Sequence, residues 1–325
     1  MRPYRYTMAD SVTSATAHNT SADAYLAGGT TLVDLMKLEV LKPEQVIDIN
    51  GLPLTGITVG TDGLRIGALE RMSDVAENPL VRADFALVSQ ALELSASPQL
   101  RNMASMGGNL LQRTRCSYFR DSSMPCNKRN PGTGCPAIEG YNRAHAVLGT
   151  SDACVATHAS DVAVALVAAE AAVELRSSTG ERSVRLEQFY RRPGTTPEVE
   201  NELSPGELIT AITAPRFPAG TRTGYLKVRD RQSYEFALTS VAVAITLRGR
   251  VITRARVVAG GVGTVPWRLP AVESLLSGQT AVAASFDAAA AAAATDAQPL
   301  RHNSFKPHLL RRAIVRALTD VTAVA

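Results

Sequence analysis

The chain has 325 residues, of which 45% are hydrophobic and 20% charged, and its formal net charge at pH 7 is +4. This is the composition of an ordinary globular protein of about two or three domains, and the small, dispersed charge gives no indication of nucleic-acid binding. No run of about 18 apolar residues predicts a membrane span, and the N-terminus lacks the apolar segment of a secretory signal, so we expect any export to depend on a partner.

Residues 1–58 predict a small β-α-β unit. A strand is expected at 24–27, a Gly-Gly-Thr-Thr turn at 28–31, a helix with apolar residues at helical spacing from 32 to 38, and a second strand at 46–49. Glycines between a strand and a helix let backbone N–H groups approach a phosphate, and threonines add hydroxyl donors. The common dinucleotide fingerprint and the P-loop are both absent, so a plain tight turn remains the alternative.

Residues 59–215 predict a larger mixed region. A short strand at 64–67, an amphipathic helix at 85–95, a helix that begins at 161 and a hairpin at 172–186 follow one another along it. The irregular segment between the two helices carries the motifs that bear on function.

A second Gly-Gly turn lies in the run Ser105-Met106-Gly107-Gly108-Asn109. It places two glycines and an amide side chain in one loop. Two such turns, each flanked by Thr, Ser or Asn, would suit the two phosphates of a dinucleotide, one from either side. The pattern alone leaves this interpretation open.

Four cysteines, Cys116, Cys126, Cys135 and Cys154, lie in one window of 39 residues, and the rest of the chain contains none. Such a cluster predicts a metal centre, but three interpretations stay open. Two disulfides need an oxidising compartment. Structural zinc usually shows closely spaced cysteine pairs, which are absent here. An iron–sulfur cluster suits widely spaced ligands on a loop that wraps it.

Basic residues are in excess around the cysteines. The basic set is Arg113, Arg115, Arg120, Lys128, Arg129 and Arg143, and the opposing acidic set is Asp121, Glu139 and Asp152. Around an iron–sulfur cluster this excess should favour the reduced state, since nearby charge contributes to the potential. The alternative is a solvated basic loop.

The last region, residues 216–325, predicts a further α+β unit. Strands are expected at 225–228, at 236–247 and within 251–259, and the second of them should be buried because it is apolar and β-branched. A run of seven alanines at 288–294 predicts a helix, and an amphipathic helix follows near the C-terminus.

These motifs, in this order, resemble one family over nearly the whole chain. A-G-G-T-T-L, S-P-Q-L-R-N-x-A-S-M-G-G-N-L, T-H-A-S-D and Y-x-K-V-R-D-R are similar to the FAD-binding medium subunits of the molybdenum hydroxylases, the family of xanthine dehydrogenase. The cysteine segment is most similar to the medium subunit of the bacterial periplasmic aldehyde oxidoreductases, and the 4-hydroxybenzoyl-CoA reductases are related. In that subgroup the medium subunit carries a [4Fe–4S] cluster, so the resemblance favours the iron–sulfur interpretation.

The resemblance implies an α+β fold in which a two-lobed FAD-binding domain of the PCMH type precedes a smaller α+β C-terminal domain of the CO dehydrogenase flavoprotein type. We expect the first lobe at 1–58, the second at 59–215 with the cysteine loop at 112–154, and the C-terminal domain at 216–325.

The resemblance also implies a heterotrimer. A small subunit would carry [2Fe–2S] clusters, and a large subunit would carry the molybdenum cofactor and oxidise the aldehyde. This chain would take electrons from the [2Fe–2S] clusters to FAD and on to an external acceptor. The complex would be periplasmic if a partner carries the export signal, and otherwise cytoplasmic. Alternatives are a 4-hydroxybenzoyl-CoA reductase-like subunit, a self-contained flavoenzyme, and a zinc-stabilised nucleotide-binding module without redox function.

Residue roles follow from the same resemblance. The first turn should line the FAD diphosphate through Ala27, Gly28, Gly29, Thr30, Thr31 and Leu32. The second should contribute Ser105, Met106, Gly108 and Asn109. Asp161 matches a ribityl or ribose partner, although Ala159 stands where the family usually has Pro. Leu208 and Lys227 match flavin-side positions, and Lys227 would either stabilise a reduced flavin or form a surface salt bridge. Cys116, Cys126, Cys135 and Cys154 would bind the cluster.

Overall fold

Three β-sheets organise the computed structural model, which describes residues 1–17 and 22–323. The N-terminal elements are β1 (Arg5–Met8), α1 (Val12–Ala17), β2 (Asp23–Leu26), α2 (Leu32–Lys37) and β3 (Gln45–Asp48). β3 lies between β1 and β2 and is parallel to both. The predicted β-α-β unit is confirmed. β1 escaped prediction because all four of its residues are exposed, so the sequence shows no apolar alternation there.

The second region carries a five-stranded antiparallel sheet. Its elements are β4 (Ile57–Gly60), β5 (Gly63–Gly67), α3 (Met72–Glu77), α4 (Pro79–Asp84), α5 (Ala86–Glu93), α6 (Pro98–Met103), α7 (Met106–Leu110), α8 (Ser117–Arg120), α9 (Asp161–Ala168), β6 (Ala172–Ser177), β7 (Gly180–Arg185), α10 (Leu186–Phe189) and β8 (Leu208–Ala214). The strand order is β4-β5-β8-β6-β7. The segment between α8 and α9, which holds three of the four cysteines, has no helix or strand of its own.

The third sheet belongs to the C-terminal region and is also antiparallel. Its elements are β9 (Thr221–Val228), β10 (Thr239–Arg248), β11 (Val251–Gly260), β12 (Trp267–Arg268), α11 (Pro270–Leu276), α12 (Ala283–Ala290), a 3-10 turn (Ala291–Ala294) and α13 (Lys306–Ala323). The strand order is β12-β11-β10-β9. The alanine run forms the end of α12 and then the tighter 3-10 turn. The predicted strand at 236–247 begins only at Thr239.

The central strand β10 joins the second and third regions. Val241, Val243 and Ile245 pack with the C-terminal helices, whereas Ala242 belongs to the core that α5 and α9 build. Both faces of the strand are therefore buried, which explains its continuous apolar sequence. The C-terminal sheet thus forms one wall for the helices of the second region.

The predicted domain limits remain predictions. The limit at 58 falls inside β4, and the limit at 215 directly follows β8. The α+β fold class is confirmed by the three sheets and their helices. Across the described ranges, every helix is too short or too polar to cross a membrane.

Candidate functional site

The first Gly-Gly turn packs against the end of α6, just before the second Gly-Gly pair. The first connects β2 to α2, and the second opens α7. A Cβ atom at Gly28 would stand 1.9 Å from the carbonyl oxygen of Met103, which is a backbone atom. Gly29 has a φ of +72°, in the left-handed region that favours glycine. The chain therefore brings the first turn onto the end of α6 only because position 28 has no side chain.

A cleft opens beside these turns and consists of two adjoining recesses. The first recess, of about 1240 Å³ with its mouth included, reaches from the turns to Asp161. The second, of about 1300 Å³, reaches from Asp161 to the Gly260-Gly261 turn after β11. The two recesses are continuous, because they share lining residues: Arg115, Ala159, Asp161, Glu235 and Phe236.

The predicted binding residues fall into two groups. Five of them line the cleft: Thr30, Thr31, Gly108, Asn109 and Asp161. The other eight do not line it: Ala27, Gly28, Gly29, Leu32, Ser105, Met106, Leu208 and Lys227. Leu208, for example, is buried in a small core with Ile47, Ile49 and Leu69. The structure therefore brings both glycine turns and Asp161 to one cavity, and it places Leu208 behind its wall.

Side-chain hydrogen bonds hold the second turn in place. Ser105 Oγ accepts from the N–H of Gly108 at 3.2 Å and so caps α7. The Asn109 amide donates from Nδ2 to Met72 Sδ at 3.2 Å, and its oxygen accepts from Ser160 Oγ at 2.6 Å. An amide carries two N–H donors. The second one has no partner among the described residues and remains for a ligand in the cleft.

Asp161 and Lys227 form a buried ion pair where the two recesses join. Lys227 Nζ lies 2.8 Å from Asp161 Oδ2, and the two side chains are 1% and 7% exposed. Tyr225 donates its hydroxyl to Asp161 Oδ1 at 2.7 Å, and Lys227 also donates to the carbonyl oxygen of Leu94. Burial raises the pKa of the Asp161 carboxyl above its ordinary value, and the charge of Lys227 and the hydrogen bonds of Lys227 and Tyr225 oppose this shift. Lys227 therefore forms a salt bridge, but the salt bridge is buried rather than at the surface. Its ammonium is directed at Asp161.

Arg115 and Arg120, which the sequence places in the cysteine loop, also line the first recess. Arg115 and Arg120 both bind Asp34, at 3.2 and 2.9 Å. Burial raises the pKa of the Asp34 carboxyl, but the hydrogen bond and charge of Arg120, with those of Arg115, hold it below its ordinary value. Two cations share one anion, and Arg115 Nε is buried without a partner. This side of the cleft, near Thr30 and Thr31, is thus suited to an anionic group.

The segment 229–238, between β9 and β10, covers the cleft from the side of the C-terminal sheet. Tyr234 donates its N–H to the carbonyl of Ala96 at 3.1 Å, and Arg231 binds the carbonyl of Tyr234. Phe236, 43% exposed, lines both recesses. The sequence did not indicate this covering segment, because the apolar run that follows it predicts a strand from 236, whereas β10 begins at Thr239. Aromatic and guanidinium groups here suit a planar ligand.

All four cysteines line one recess of about 290 Å³, which we call the cysteine recess. Cys126 and Cys154 are buried, Cys116 and Cys135 are partly exposed, and all four are free thiols, so no disulfide joins any two of them. Cys116 also lines the second recess of the cleft. Its side chain is therefore part of a wall between the cysteine recess and the cleft.

The thiols differ in acidity. Burial raises the pKa of Cys116 to about 11. Cys135 and Cys154 interact by a hydrogen bond, which lowers the pKa of Cys135 to about 7 and raises that of Cys154. Since a metal binds thiolates rather than thiols, its entry must displace the protons of Cys116 and Cys154.

The cysteine recess is not a preformed site for one small ion. Throughout residues 1–17 and 22–323, no three His, Cys, Asp or Glu side chains are placed to hold a metal ion. Structural zinc needs four ligands at roughly 2.0–2.3 Å from the ion. A group that occupies this recess must therefore be larger than one ion, or the loop must contract around it.

Two side chains of the loop brace the cysteine segments. Asn127 donates to the carbonyl of Ala153 at 3.0 Å and accepts from the N–H of Gly134 at 2.7 Å. Arg129 donates to the carbonyl of Phe119 at 2.6 Å. These bonds connect the stretches that carry the cysteines, because Asn127 bridges the segments around Cys135 and Cys154 and Arg129 reaches back to α8, which follows Cys116.

The basic residues of the loop have different partners from those predicted. Their acidic partners come from outside the loop: Glu200 for Arg113 and Lys128, Asp34 for Arg115 and Arg120, and Asp230 for Arg143. Asp121, Glu139 and Asp152 take no part in these pairs. The loop is therefore a bonded network rather than a solvated basic surface, and cations still outnumber anions in it.

Two protein families match the chain in succession. Residues 2–217 match the FAD binding domain in molybdopterin dehydrogenase, and residues 224–321 match the CO dehydrogenase flavoprotein C-terminal domain. The first match includes both glycine turns, Asp161 and the cysteines. The two matches confirm the predicted order, in which an FAD-binding part precedes a flavoprotein C-terminal part.

Known proteins resemble the chain over almost its full length. The aldehyde oxidoreductase FAD-binding subunit PaoB of Escherichia coli (strain K12) is 48% identical over 305 residues, which are 93% of this chain and 92% of that protein. The carbon monoxide dehydrogenase medium chain of Hydrogenophaga pseudoflava is 27% identical, over 92% and 88% of the two chains. A structure of carbon monoxide dehydrogenase from that organism superimposes with a TM-score of 0.78 at 27% identity and covers 99% of both chains.

The buried ion pair generates a prediction about stability. Lys227→Met should lower the free energy of unfolding by about 3–5 kcal/mol, because it leaves the Asp161 carboxylate buried without its cation. Asp161→Asn combined with Lys227→Met should recover part of that loss. The measurement is urea unfolding followed by circular dichroism.

A matched control is Arg316→Met, which removes one partner of an exposed ion pair with Asp320 on α13. It should change the free energy of unfolding by less than about 1 kcal/mol. Equal effects of the Lys227 and Arg316 substitutions would show that the Asp161–Lys227 pair is not the buried contact described above.

Proposed function

The chain belongs to the FAD-binding medium subunits of the molybdenum hydroxylases, and we propose that it is the electron-transfer flavoprotein of an aldehyde oxidoreductase. It takes electrons from the [2Fe–2S] clusters of a small partner subunit to FAD and passes them to an external acceptor. A large subunit with the molybdenum cofactor oxidises the aldehyde. The 48% identity to an aldehyde oxidoreductase subunit supports this choice over carbon monoxide as the substrate.

The residues of the cleft fit FAD. A ligand with a diphosphate needs donors at one end, and the first recess is lined by the Arg115 side chain, the Asn109 amide and Thr31, whose hydroxyl caps no helix N–H. Thr30 lies beside them in the lining. FAD, when bound, supplies the ability to take up and release electrons. We assign the diphosphate to these residues. Their position together at one end of the cleft is the observation that carries the proposal.

The protein's own side chains orient and enclose the cofactor. Asp161 lies at the junction of the recesses, where Lys227, Tyr225 and Ser95 hold its carboxylate in the wall of the cleft. Phe236 and the segment 229–238 reduce the access of water from one side. Gly28 allows the first turn to approach the end of α6, directly before the second Gly-Gly pair, so that residues of both motifs line one cavity.

We further propose that the cysteine recess holds a [4Fe–4S] cluster with Cys116, Cys126, Cys135 and Cys154 as ligands. Such a cluster takes four thiolates, and four thiols line one recess. A 4-hydroxybenzoyl-CoA reductase-like subunit would have the same local chemistry, so the aldehyde assignment depends on the similarity above.

Two assignments about the whole protein complete the proposal. The domain limits are taken as 58 and 215, with the cysteine loop in the second lobe. The chain is taken to act in a heterotrimer, which is periplasmic if a partner carries the export signal and cytoplasmic otherwise.

The cleft predicts a specific glycine requirement for FAD binding. Gly28→Ala should weaken FAD binding by at least about tenfold, equivalent to about 1.4 kcal/mol, because its Cβ would strike the Met103 carbonyl and separate the turns. Gly51→Ala is the matched control, since a Cβ there meets nothing within 4 Å. Fluorescence titration of the flavin-free protein with FAD measures both. Parent-like binding by Gly28→Ala would exclude the turn contact as a determinant of the site.

The cluster proposal predicts the metal content of the chain. Protein purified without oxygen should contain about four irons, and Cys126→Ser should lose most of that iron because one thiolate ligand is missing. Ser123→Ala, at an exposed position of the same loop, should keep it. Elemental analysis and electron paramagnetic resonance (EPR) measure the outcome. About one zinc and no iron in the parent protein would instead support the zinc-stabilised module.

The proposed function predicts where aldehyde is oxidised. Without oxygen, an aldehyde should bleach the flavin absorbance of the purified complex but not that of this chain alone, because the chain depends on its partners for electrons. Carbon monoxide should leave the flavin of the complex oxidised. Bleaching of the isolated chain by aldehyde would show a self-contained flavoenzyme. Bleaching of the complex by carbon monoxide but not by aldehyde would show that carbon monoxide, and not an aldehyde, is the substrate.

A further inference from the structure

His145 lies between the cysteine recess and the flavin cleft. Its Nε2 atom is 3.2 Å from Cys116 Sγ, and the residue is 5% exposed. Cys116 lines both the cysteine recess and the second recess of the cleft, and His145 lines the second recess. The imidazole and the thiol therefore form the wall that separates the two cavities.

We propose that His145 donates a hydrogen bond from Nε2 to the Cys116 thiolate and thereby sets the reduction potential of the cluster at the wall that it shares with the flavin cleft. The inference rests on the proposed [4Fe–4S] cluster. It makes His145 a positioning residue, which acts on the cluster through Cys116.

The direction of the hydrogen bond follows from the chemistry of the two groups. A cysteine bound to iron is a thiolate and has no proton to donate, so the bond needs an N–H on His145 Nε2. The other ring nitrogen, Nδ1, is buried and has no hydrogen-bond partner within residues 1–17 and 22–323. A neutral imidazole with its proton on Nε2 leaves only a lone pair at Nδ1, whereas an imidazolium would leave a buried N–H donor unsatisfied.

The backbone around His145 is held on both sides. Its N–H donates to the carbonyl of Asn142 at 3.0 Å, and its own carbonyl accepts from Asn303 Nδ2 at 3.3 Å. The preceding carbonyl, of Ala144, accepts from Lys306 Nζ at 3.2 Å. Because these partners are themselves buried, the ring is held at the distance from Cys116 that a hydrogen bond requires.

A donor at this position acts on the charge of the cluster. Reduction adds one electron to the iron–sulfur core and no proton to Sγ, so the negative charge of the core and its four thiolates rises from about two to about three. The reductant is the flavin across the wall or a partner's [2Fe–2S] cluster, both reduced by aldehyde oxidation. A hydrogen bond to a ligand sulfur stabilises the more negative state and raises the potential. Backbone N–H groups of Tyr118 and Phe119 contribute similarly, so His145 supplies one part of the effect.

The test is a redox titration of the anaerobically purified complex, with the cluster followed by EPR. His145→Phe keeps a ring but removes the donor, and His145→Gln keeps an N–H. The Phe variant should weaken the preference for the reduced cluster about tenfold, which is about 59 mV for one electron. The Gln variant should recover part of that shift. His302→Phe, at an exposed histidine whose ring contacts Tyr141, should leave the potential unchanged.

The outcomes are separable. A Phe variant with a full iron content and the parent potential overturns the inference. If the Phe variant loses iron, the Gln variant decides the question. A Gln variant that keeps its iron and has a cluster potential near that of the parent supports the hydrogen bond. A Gln variant that keeps its iron but whose preference for the reduced cluster changes about tenfold or more overturns it. A parent complex that lacks a [4Fe–4S] signal while it retains FAD and [2Fe–2S] signals overturns the proposed cluster, and with it the inference, but not the flavin function.

Discussion

The cleft depends on the buried ion pair between Asp161 and Lys227. Asp161 begins α9 in the FAD-binding region, and Lys227 lies on β9 in the C-terminal sheet. Removing two charges from water costs several kcal/mol per ion unless each one is fully bonded. Tyr225 and Ser95 complete the bonds of the carboxylate, and Leu94 completes those of the ammonium. Because these partners meet only when the two regions are in contact, the pair specifies how α9 and β9 sit relative to each other, and so where the two recesses join.

Charge distribution connects the cleft with the cysteine recess. Arg115 precedes Cys116 in the chain, lines both recesses of the cleft and shares Asp34 with Arg120. Burial and the charge of Arg120 lower the pKa of Arg115 from its ordinary value. Its Nε is buried and has no partner among the described residues, which is costly unless an anion approaches the guanidinium. A bound diphosphate on one side, or an ionised cluster on the other, would relieve that cost.

The sequence predicted the parts of the site that depend on local motifs and missed those that depend on tertiary contacts. The first glycine turn was predicted because a turn between a strand and a helix depends on consecutive residues. The second Gly-Gly pair, predicted as a loop, lies instead within the short helix α7, which the sequence did not indicate. The covering segment was missed because Phe236 precedes an apolar strand and looks like its first residue. Lys227 was placed near the flavin, yet its ammonium is directed at Asp161, 66 residues away in the chain. No periodicity in the sequence indicates a partner at such a separation.

The four cysteines were identified at once, but their common recess depends on the C-terminal region. The segment 142–148 is irregular and mostly buried, so its carbonyls have no sheet or helix to satisfy them. Three successive carbonyls, from Ala144 to Ala146, instead accept from Asn303 and Lys306, and Lys306 also donates to Gly261 at 2.6 Å. Burial lowers the pKa of Lys306 to about 7, and an amine or an ammonium can serve these carbonyls. The C-terminal region is therefore required to form the wall between the cleft and the cysteine recess, and an FAD-binding region produced alone would expose those carbonyls and lose the position of His145 against Cys116.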